Sequence, residues 1–448
     1  MTLRRRTLLS RLGLGAAAAA GLIGSRQAQA GDYRALVVVF LNGGNDGHNC
    51  LVPMDAAYGD YQKARTNLAL AQSSLAKLRG SSAGHSFGLH PALAPLAPLY
   101  DAGRLAWIAN VGPLVVPTTA AQAMDHAVPL PPFLLSHYEQ VAIQQGWGAD
   151  ADGSGWGGRG LEALPASLRH PMAAASFDTQ RTLVQGRHAP VSWIGTEPAV
   201  QRYWGFADLA RPDSDSSRPL SLLAAGGFAN AYQQVYARSL EAGMADATAV
   251  VEAMARGVPP TADFGSGRLA DTLRTLAQLL PVFQQTGRRR QIFLLNWGNF
   301  DTHGVQRGTL ERTQDYQLAQ LGRALAGFDA ANRASGVDPG VVTLVMSDFG
   351  RTLRPASGGG SDHAWGNHWW LFGGPVAGGQ VYGTFPSLVL KGPEDFDRDG
   401  GGRFVPTTAT DQVAATLLAW LGVEPAALHE VLPKLSNFTR TDLGFLHR

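Results

Sequence analysis

The chain has 448 residues, 45% of them hydrophobic, a single cysteine and a formal net charge of +2. Residues 1–30 contain five arginines and no acidic residue, so residues 31–448 carry −3 and show no basic run that would argue for nucleic acid. Cys50 alone excludes an intramolecular disulfide, so stability must come from a core, and the length fits one large α/β domain with an insertion or cap.

The first element is an address. Arg4-Arg5-Arg6 precedes Leu8-Leu9, an apolar stretch from Leu12 to Ile23, and Ala28-Gln29-Ala30, an A-x-A-like cleavage site. The pattern predicts a twin-arginine signal over 1–30, the twin-arginine export machinery as a partner, and a periplasmic or secreted protein with no stable membrane anchor. That route carries cargo that has already folded, as suits a protein loaded with a metal before export.

From residue 31 onward, strand and helix patterns alternate. Ala35–Leu41 is a short apolar run ending in Gly43-Gly44-Asn45-Asp46, and it reads as a buried strand of a parallel sheet. Asp60–Leu78 reads as a helix, Gly80–Gly84 as a loop, Pro91–Gly103 as a short helix and Arg104–Val111 as a second strand. Pro113–Pro132 is irregular. Ser136–Gln145 reads as a helix opened by Ser136, with Glu139 placed as in a capping box. After a Gly/Trp loop over Gly146–Gly160, residues 161–265 form the expected insertion or cap, with an Ala-rich helical half from Pro219 to Arg256. Leu269–Thr286 and Thr313–Arg333 are amphipathic helices flanking the strand Gln291–Trp297, which runs into Asp301-Thr302-His303. Val341–Met346 is another strand, running into Ser347-Asp348 and followed by Asp362-His363. Thr410–Leu421 is a closing helix.

Several motifs resemble known chemistry without its context. Asp348-Phe349-Gly350 lacks the glycine-rich and catalytic loops of a kinase. Asp395-x-Asp397-x-Asp399-Gly400 begins like a calcium loop, yet Pro406 falls where a bidentate Glu is needed, so a solvated acidic turn is expected. There is no G-x-S-x-G, H-E-x-x-H or P-loop.

The remaining constellation lies at strand ends, where α/β folds place their chemistry. Any one of Asp46, Asp301 or Asp348 is equally read as a helix cap, and a lone His as a structural residue. Together, Asp301 with His303 and Asp348 with His363 offer the ligand types that suit zinc, manganese or a mixed site. Two neighbouring metals would bind a tetrahedral oxyanion and stabilise an in-line displacement. Ser136, at a helix start, is the candidate nucleophile or simply an N-cap. His137 beside it is either a ligand or a residue facing the cleft. Arg159 and Arg351 are candidate anion clamps or partners of structural carboxylates.

The phrases Phe40-Leu41-Asn42-Gly43-Gly44-Asn45-Asp46-Gly47, Leu51-Val52-Pro53, Leu89-His90-Pro91, Ser136-His137-Tyr138, Asn299-Phe300-Asp301-Thr302-His303, Ser347-Asp348-Phe349-Gly350-Arg351-Thr352 and Ser361-Asp362-His363-Ala364-Trp365-Gly366-Asn367 resemble the twin-arginine-exported proteins of domain-of-unknown-function family 1501. That family is similar to the alkaline phosphatase and sulfatase superfamily. The resemblance implies a three-layer α/β sandwich with a mostly parallel central sheet and a Ser nucleophile at Ser136. It also implies a metal held by Asp46 and Asp348 next to that nucleophile, and a second held by Asp301, His303 and His363. The ions would be zinc, manganese or calcium, one or two in number. The activity implied is hydrolysis of phosphate or sulfate esters, or a related phospho-group transfer, on small or polymeric anionic substrates. The chain departs from the superfamily in its short Asp301–His303 spacer and in Phe349, where a His is usual, with Asp362 or His368 as possible substitutes. Those departures favour the alternative, a non-catalytic exported protein that binds or helps assemble a surface polymer. The tryptophans Trp297, Trp365, Trp369 and Trp370 would stack on sugars in either case, or pack in the core.

Overall fold

A computed structural model describes residues 32–146, 152–197, 222–223 and 226–447. The twin-arginine segment lies outside the described residues, as does the start of the expected helical half after Pro219. Among the described residues no helix is long and apolar enough to cross a membrane.

Twelve strands are described: β1 (Arg34–Leu41), β2 (Leu51–Pro53), β3 (Ala76–Lys77), β4 (Phe87–Leu89), β5 (Leu105–Gly112), β6 (Ala174–Ser176), β7 (Ser192–Trp193), β8 (Arg290–Trp297), β9 (Val341–Ser347), β10 (Asn367–Gly373), β11 (Gln380–Tyr382) and β12 (Thr408–Ala409). Nine form one sheet in the order β11-β5-β10-β9-β1-β8-β6-β7, with β12 beside β5. Every pairing in it is parallel except those of β10, which runs antiparallel to both β5 and β9. β2, β3 and β4 make a small antiparallel sheet.

The helices used below are α1 (Ala57–Arg65), α2 (His137–Gln145), α3 (Trp156–Glu162), α4 (Ala231–Arg256), α5 (Arg268–Gln285), α6 (Gln314–Ser335) and α7 (Thr410–Leu421). β1 shows why they form layers. Its side chains alternate between faces, and both sets are buried. Val37 and Val39 join Leu273, Phe283, Leu321 and Phe328 of α5 and α6 on one side, while Leu36, Val38 and Phe40 join Trp156 of α3 and Val413, Leu417 and Leu421 of α7 on the other. The result is the expected α/β sandwich of helices, a mostly parallel sheet, and helices.

Three elements differ from the sequence-based expectation. The helix expected over Asp60–Leu78 stops at Arg65, because Thr66 takes a positive φ of 44°. The run Asn367–Gly373 is a buried antiparallel strand that periodicity does not single out. Within residues 161–265, β6 and β7 extend the central sheet beside β8, and α4 packs against α5.

Candidate metal centre

The carboxyl ends of β1, β8 and β9 converge at one edge, where their loops are clamped by one side chain. The buried Arg351 guanidinium donates to the carbonyls of Gly43, Gly44, Phe300 and Ser361 and to Asp301 Oδ1. Gly43, at φ 101°, makes this approach possible, since a Cβ there would sit 2.5 Å from the Asp301 backbone nitrogen.

Around Asp301 stand three imidazoles. The Nε2 atoms of His303, His137 and His363 lie 3.0, 3.2 and 3.6 Å from its Oδ1. The Nε2 atoms of His303 and His363 are 2.8 Å from each other. Each ring turns its other nitrogen outward to an oxygen. His303 Nδ1 meets Asp362 at 2.9 Å, His137 Nδ1 meets Asp348 at 2.8 Å, and His363 Nδ1 meets the Leu135 carbonyl at 2.6 Å. A carbonyl only accepts, so His363 carries its proton on Nδ1, and Asp362 fixes His303 the same way. With both rings neutral, two lone pairs face each other at 2.8 Å, and His137 Nε2 is buried without a hydrogen-bond partner. Such an arrangement is satisfied by a proton on one ring or by a metal cation at the centre, and only the cation also meets His137 Nε2.

The residues fit one divalent metal. Four ligand atoms drawn from His137, Asp301, His303 and His363 lie within 4.8 Å of one another. The neighbouring separations of 2.8 to 3.6 Å bracket the roughly 3.4 Å that metal–ligand bonds of about 2.1 Å at tetrahedral angles impose. Imidazoles whose second nitrogen donates to carboxylate or carbonyl are the usual form of histidine ligands.

The local field favours positive charge. Burial works against a charged His137, but its hydrogen bond to Asp348 and the negative charges of Asp348 and Asp301 outweigh burial and raise its pKa. For Asp301, burial is outweighed by the Arg351 hydrogen bond and charge, and the pKa is lowered to about 2. Burial lowers the pKa of His363 against the raising effect of its Leu135 hydrogen bond, with Arg351 and the other two histidines adding to the lowering, and the neutral imidazole is the form that ligates metals.

The structure thus gathers Asp301, His303 and His363 and adds His137, whose side the sequence left open. Asp348 is fully buried behind His137, accepting also from the Gly44 amide and the Ser347 hydroxyl, and orients that ring rather than joining the four. Its carbonyl is held by Gln144 of α2 at 3.0 Å.

Asp46 lies elsewhere. It caps the turn Gly47–Cys50 and is buried against the Arg65 guanidinium and the Gln306 amide, the latter at 2.6 Å, so that its charge is already neutralised. The two-metal arrangement is corrected accordingly: among the described residues one cluster forms, and a guanidinium occupies the other carboxylate. The anion-clamp expectation is corrected as well. Arg159 is buried, and its guanidinium is spent on the carbonyls of Gly146, Ser154 and Val431 and on the Ser154 hydroxyl. Arg351 is spent as described above. Ser136 begins α2, but its hydroxyl donates to Glu139 Oε2 instead of capping a backbone amide. The acidic turn at Asp395 is internally bonded, with Asp397 paired to Arg403.

Beside the cluster opens a cavity of about 560 Å³, lined by His137, Asp301 and Asp348, by further residues of α2 and of the loops after β1 and β8, and by Gln180 and Thr182 in the segment after β6.

An α/β sandwich with a histidine–carboxylate cluster at the carboxyl edge of its parallel strands defines the class. Within that class, the chain belongs to the family described as protein of unknown function (DUF1501), which matches residues 33–397. No curated protein matches the chain. Among solved structures it is similar to Ps i-CgsB, determined in complex with k-i-k-neocarrahexaose, at 9% identity and a TM-score of 0.36, covering 90% of this chain and 77% of that one. It is also similar to the phosphonate monoester hydrolase SpPMH from Silicibacter pomeroyi, at 9% identity and a TM-score of 0.31, covering 87% and 74%.

Proposed function

We propose that the protein is an exported, metal-dependent hydrolase of phosphate or sulfate esters, carried by the twin-arginine pathway to the periplasm or beyond. The observation that carries the metal reading is the inward convergence of three Nε2 atoms on Asp301 with every Nδ1 tied outward. Three nitrogens and one carboxylate favour zinc, or manganese, over oxygen-seeking calcium. His137, His303, His363 and Asp301 would hold the ion, which when bound supplies Lewis-acid polarisation of an ester oxygen.

The chain's own groups do the rest. Ser136 is the proposed nucleophile, its proton passing to the bonded Glu139 as Oγ forms a bond to phosphorus or sulfur, and from Glu139 to the ester oxygen as it leaves as an alcohol. Water then cleaves the Ser136 ester and regenerates the hydroxyl. Arg351 neutralises Asp301 and fixes its position.

One observation favours the other reading, a non-catalytic protein that binds or helps assemble a surface polymer. The cavity is lined by His137 and Tyr138 but not by Ser136. The experiment is elemental analysis of the signal-processed protein beside the double variant Asp301→Ala, His303→Ala, followed by turnover of aryl phosphate and aryl sulfate esters by wild type and Ser136→Ala. Near-stoichiometric metal lost in the double variant, and turnover lost in Ser136→Ala, are expected. Absence of metal after incubation with excess zinc or manganese overturns the hydrolase reading and leaves the binding role.

A further inference from the structure

We infer that the cavity beside the cluster receives an uncharged, polyhydroxylated group, a neutral sugar carrying the ester, and that Gln180 and Asn299 are specificity-determining residues. This rests on the reading of the cluster as the reacting centre.

The cavity's volume of about 560 Å³ suits one or two hexose rings. Its charges lie on one wall only. His137, Asp301 and Asp348 belong to the cluster, and no lysine, arginine or glutamate lines the remainder. The buried Arg351 and Arg159 do not line the cavity, and their donors are committed to backbone carbonyls, Asp301 and the Ser154 hydroxyl. Among the described residues that line the cavity, none outside the cluster carries a positive charge to meet a second anionic group on the substrate.

The other walls are polar without charge. Asn42, Gln180, Thr182 and Asn299 all line the cavity, and the hydrogen bonds that Asn42, Gln180 and Asn299 make with the described residues run through their backbone atoms, leaving their side-chain amides open. An aliphatic guest would desolvate these groups without replacing their hydrogen bonds, which costs about 1–3 kcal/mol for each one buried. Amides present a donor and an acceptor together and match vicinal hydroxyls. The helical wall completes the pattern. Tyr138, 85% exposed, and Val141 stand one turn apart on α2 and give an aromatic and apolar strip for the C–H face of a pyranose.

The test uses the full metal-loaded chain with neutral methyl hexosides as probes, each at about 10 mM to suit the millimolar affinities of single sugars. Saturation-transfer NMR reads binding, and elemental analysis on the same samples reads the metal. At least one methyl hexoside should show saturation, and Gln180→Ala with Asn299→Ala should weaken it about tenfold while bound metal stays the same. No saturation by any hexoside, or saturation unchanged in the double variant, overturns the inference even if the metal is present and aryl esters turn over. Hexoside binding lost in the variant, in a protein without metal, upholds the sugar site and sinks the hydrolase reading instead. Circular dichroism on the variant separates a lost contact from a lost fold, and the single variants Gln180→Asn and Asn299→Gln, which keep the amide but move it, should each fall between wild type and the double variant.

Discussion

His303 and His363 present their Nε2 atoms to each other at 2.8 Å while their Nδ1 atoms are held by Asp362 and the Leu135 carbonyl. Two neutral imidazoles held in this way repel until a proton or a metal cation lies between them. The third ring is held in the same way by Asp348, which is buried and makes its contacts through Gly44, Ser347 and His137. Asp348→Asn keeps the shape but weakens the acceptor behind His137, so zinc affinity is expected to fall about 10–100-fold in competition with a chelator of known affinity. An unchanged affinity would mean that His137 does not ligate.

Asp46 gives the opposite expectation. Its carboxylate sits against Arg65 with both side chains fully buried. Removing one member of such a pair leaves an uncompensated charge, so Asp46→Ala should lose about 3–5 kcal/mol of stability in denaturant titration. Bound metal should be unchanged. A loss of metal from a folded Asp46→Ala protein would place this residue back among the ligands.

Gly43 is a point of close backbone approach within the site. A methyl group there meets the backbone nitrogens of Asp301 at 2.5 Å and Phe300 at 2.8 Å, and φ is 101°. Gly43→Ala should cost about 2–4 kcal/mol from strain and overpacking. The midpoint of urea unfolding should drop with an unchanged slope, and metal binding should weaken alongside it.

Asp411 gives the fold a pH dependence away from the cluster. Burial raises its pKa from 3.8 to about 7, against the opposing charges of Arg159 and Lys434, and its Oδ2 has no hydrogen-bond partner. The native state therefore binds this proton more tightly than the unfolded chain does. The associated stability is full below about pH 4 and is lost as pH rises to about 7, a change of up to about 4 kcal/mol. Asp411→Asn should flatten that slope in chemical denaturation measured at pH 4.5 and pH 8. A wild-type slope retained in the variant would assign it to other groups.

The strands that carry Asp301 and Asp348 were legible because buried parallel strands are short apolar runs and the acidic and histidine residues follow them directly. The helices α5, α6 and α7 were legible from periodicity. β10 was not, since Asn367–Gly373 is rich in tryptophan and buried on both faces, with no alternation to mark it. The fate of the arginines was hidden for another reason. Arg159 and Arg351 bond mainly to backbone carbonyls, which every residue possesses, so no sequence pattern pairs them. Asp46 finds its partner Arg65 nineteen residues on, at the end of a helix whose stop at Thr66 the sequence overran. His137 lay in view beside Ser136, and only the position of Asp348 gives its ring an orientation.

Arg351 joins Gly43 across 308 residues of sequence and binds the loops after β1, β8 and β9 at once. Such contacts close late, because their loop entropy is recovered only after the central strands have paired. During refolding, metal capture should therefore trail the burial of the sheet's aromatic core, making the bound ion a timer for the last step of assembly. Under the proposed twin-arginine export, a loaded centre would also certify that the cargo had finished folding before it met the translocation machinery.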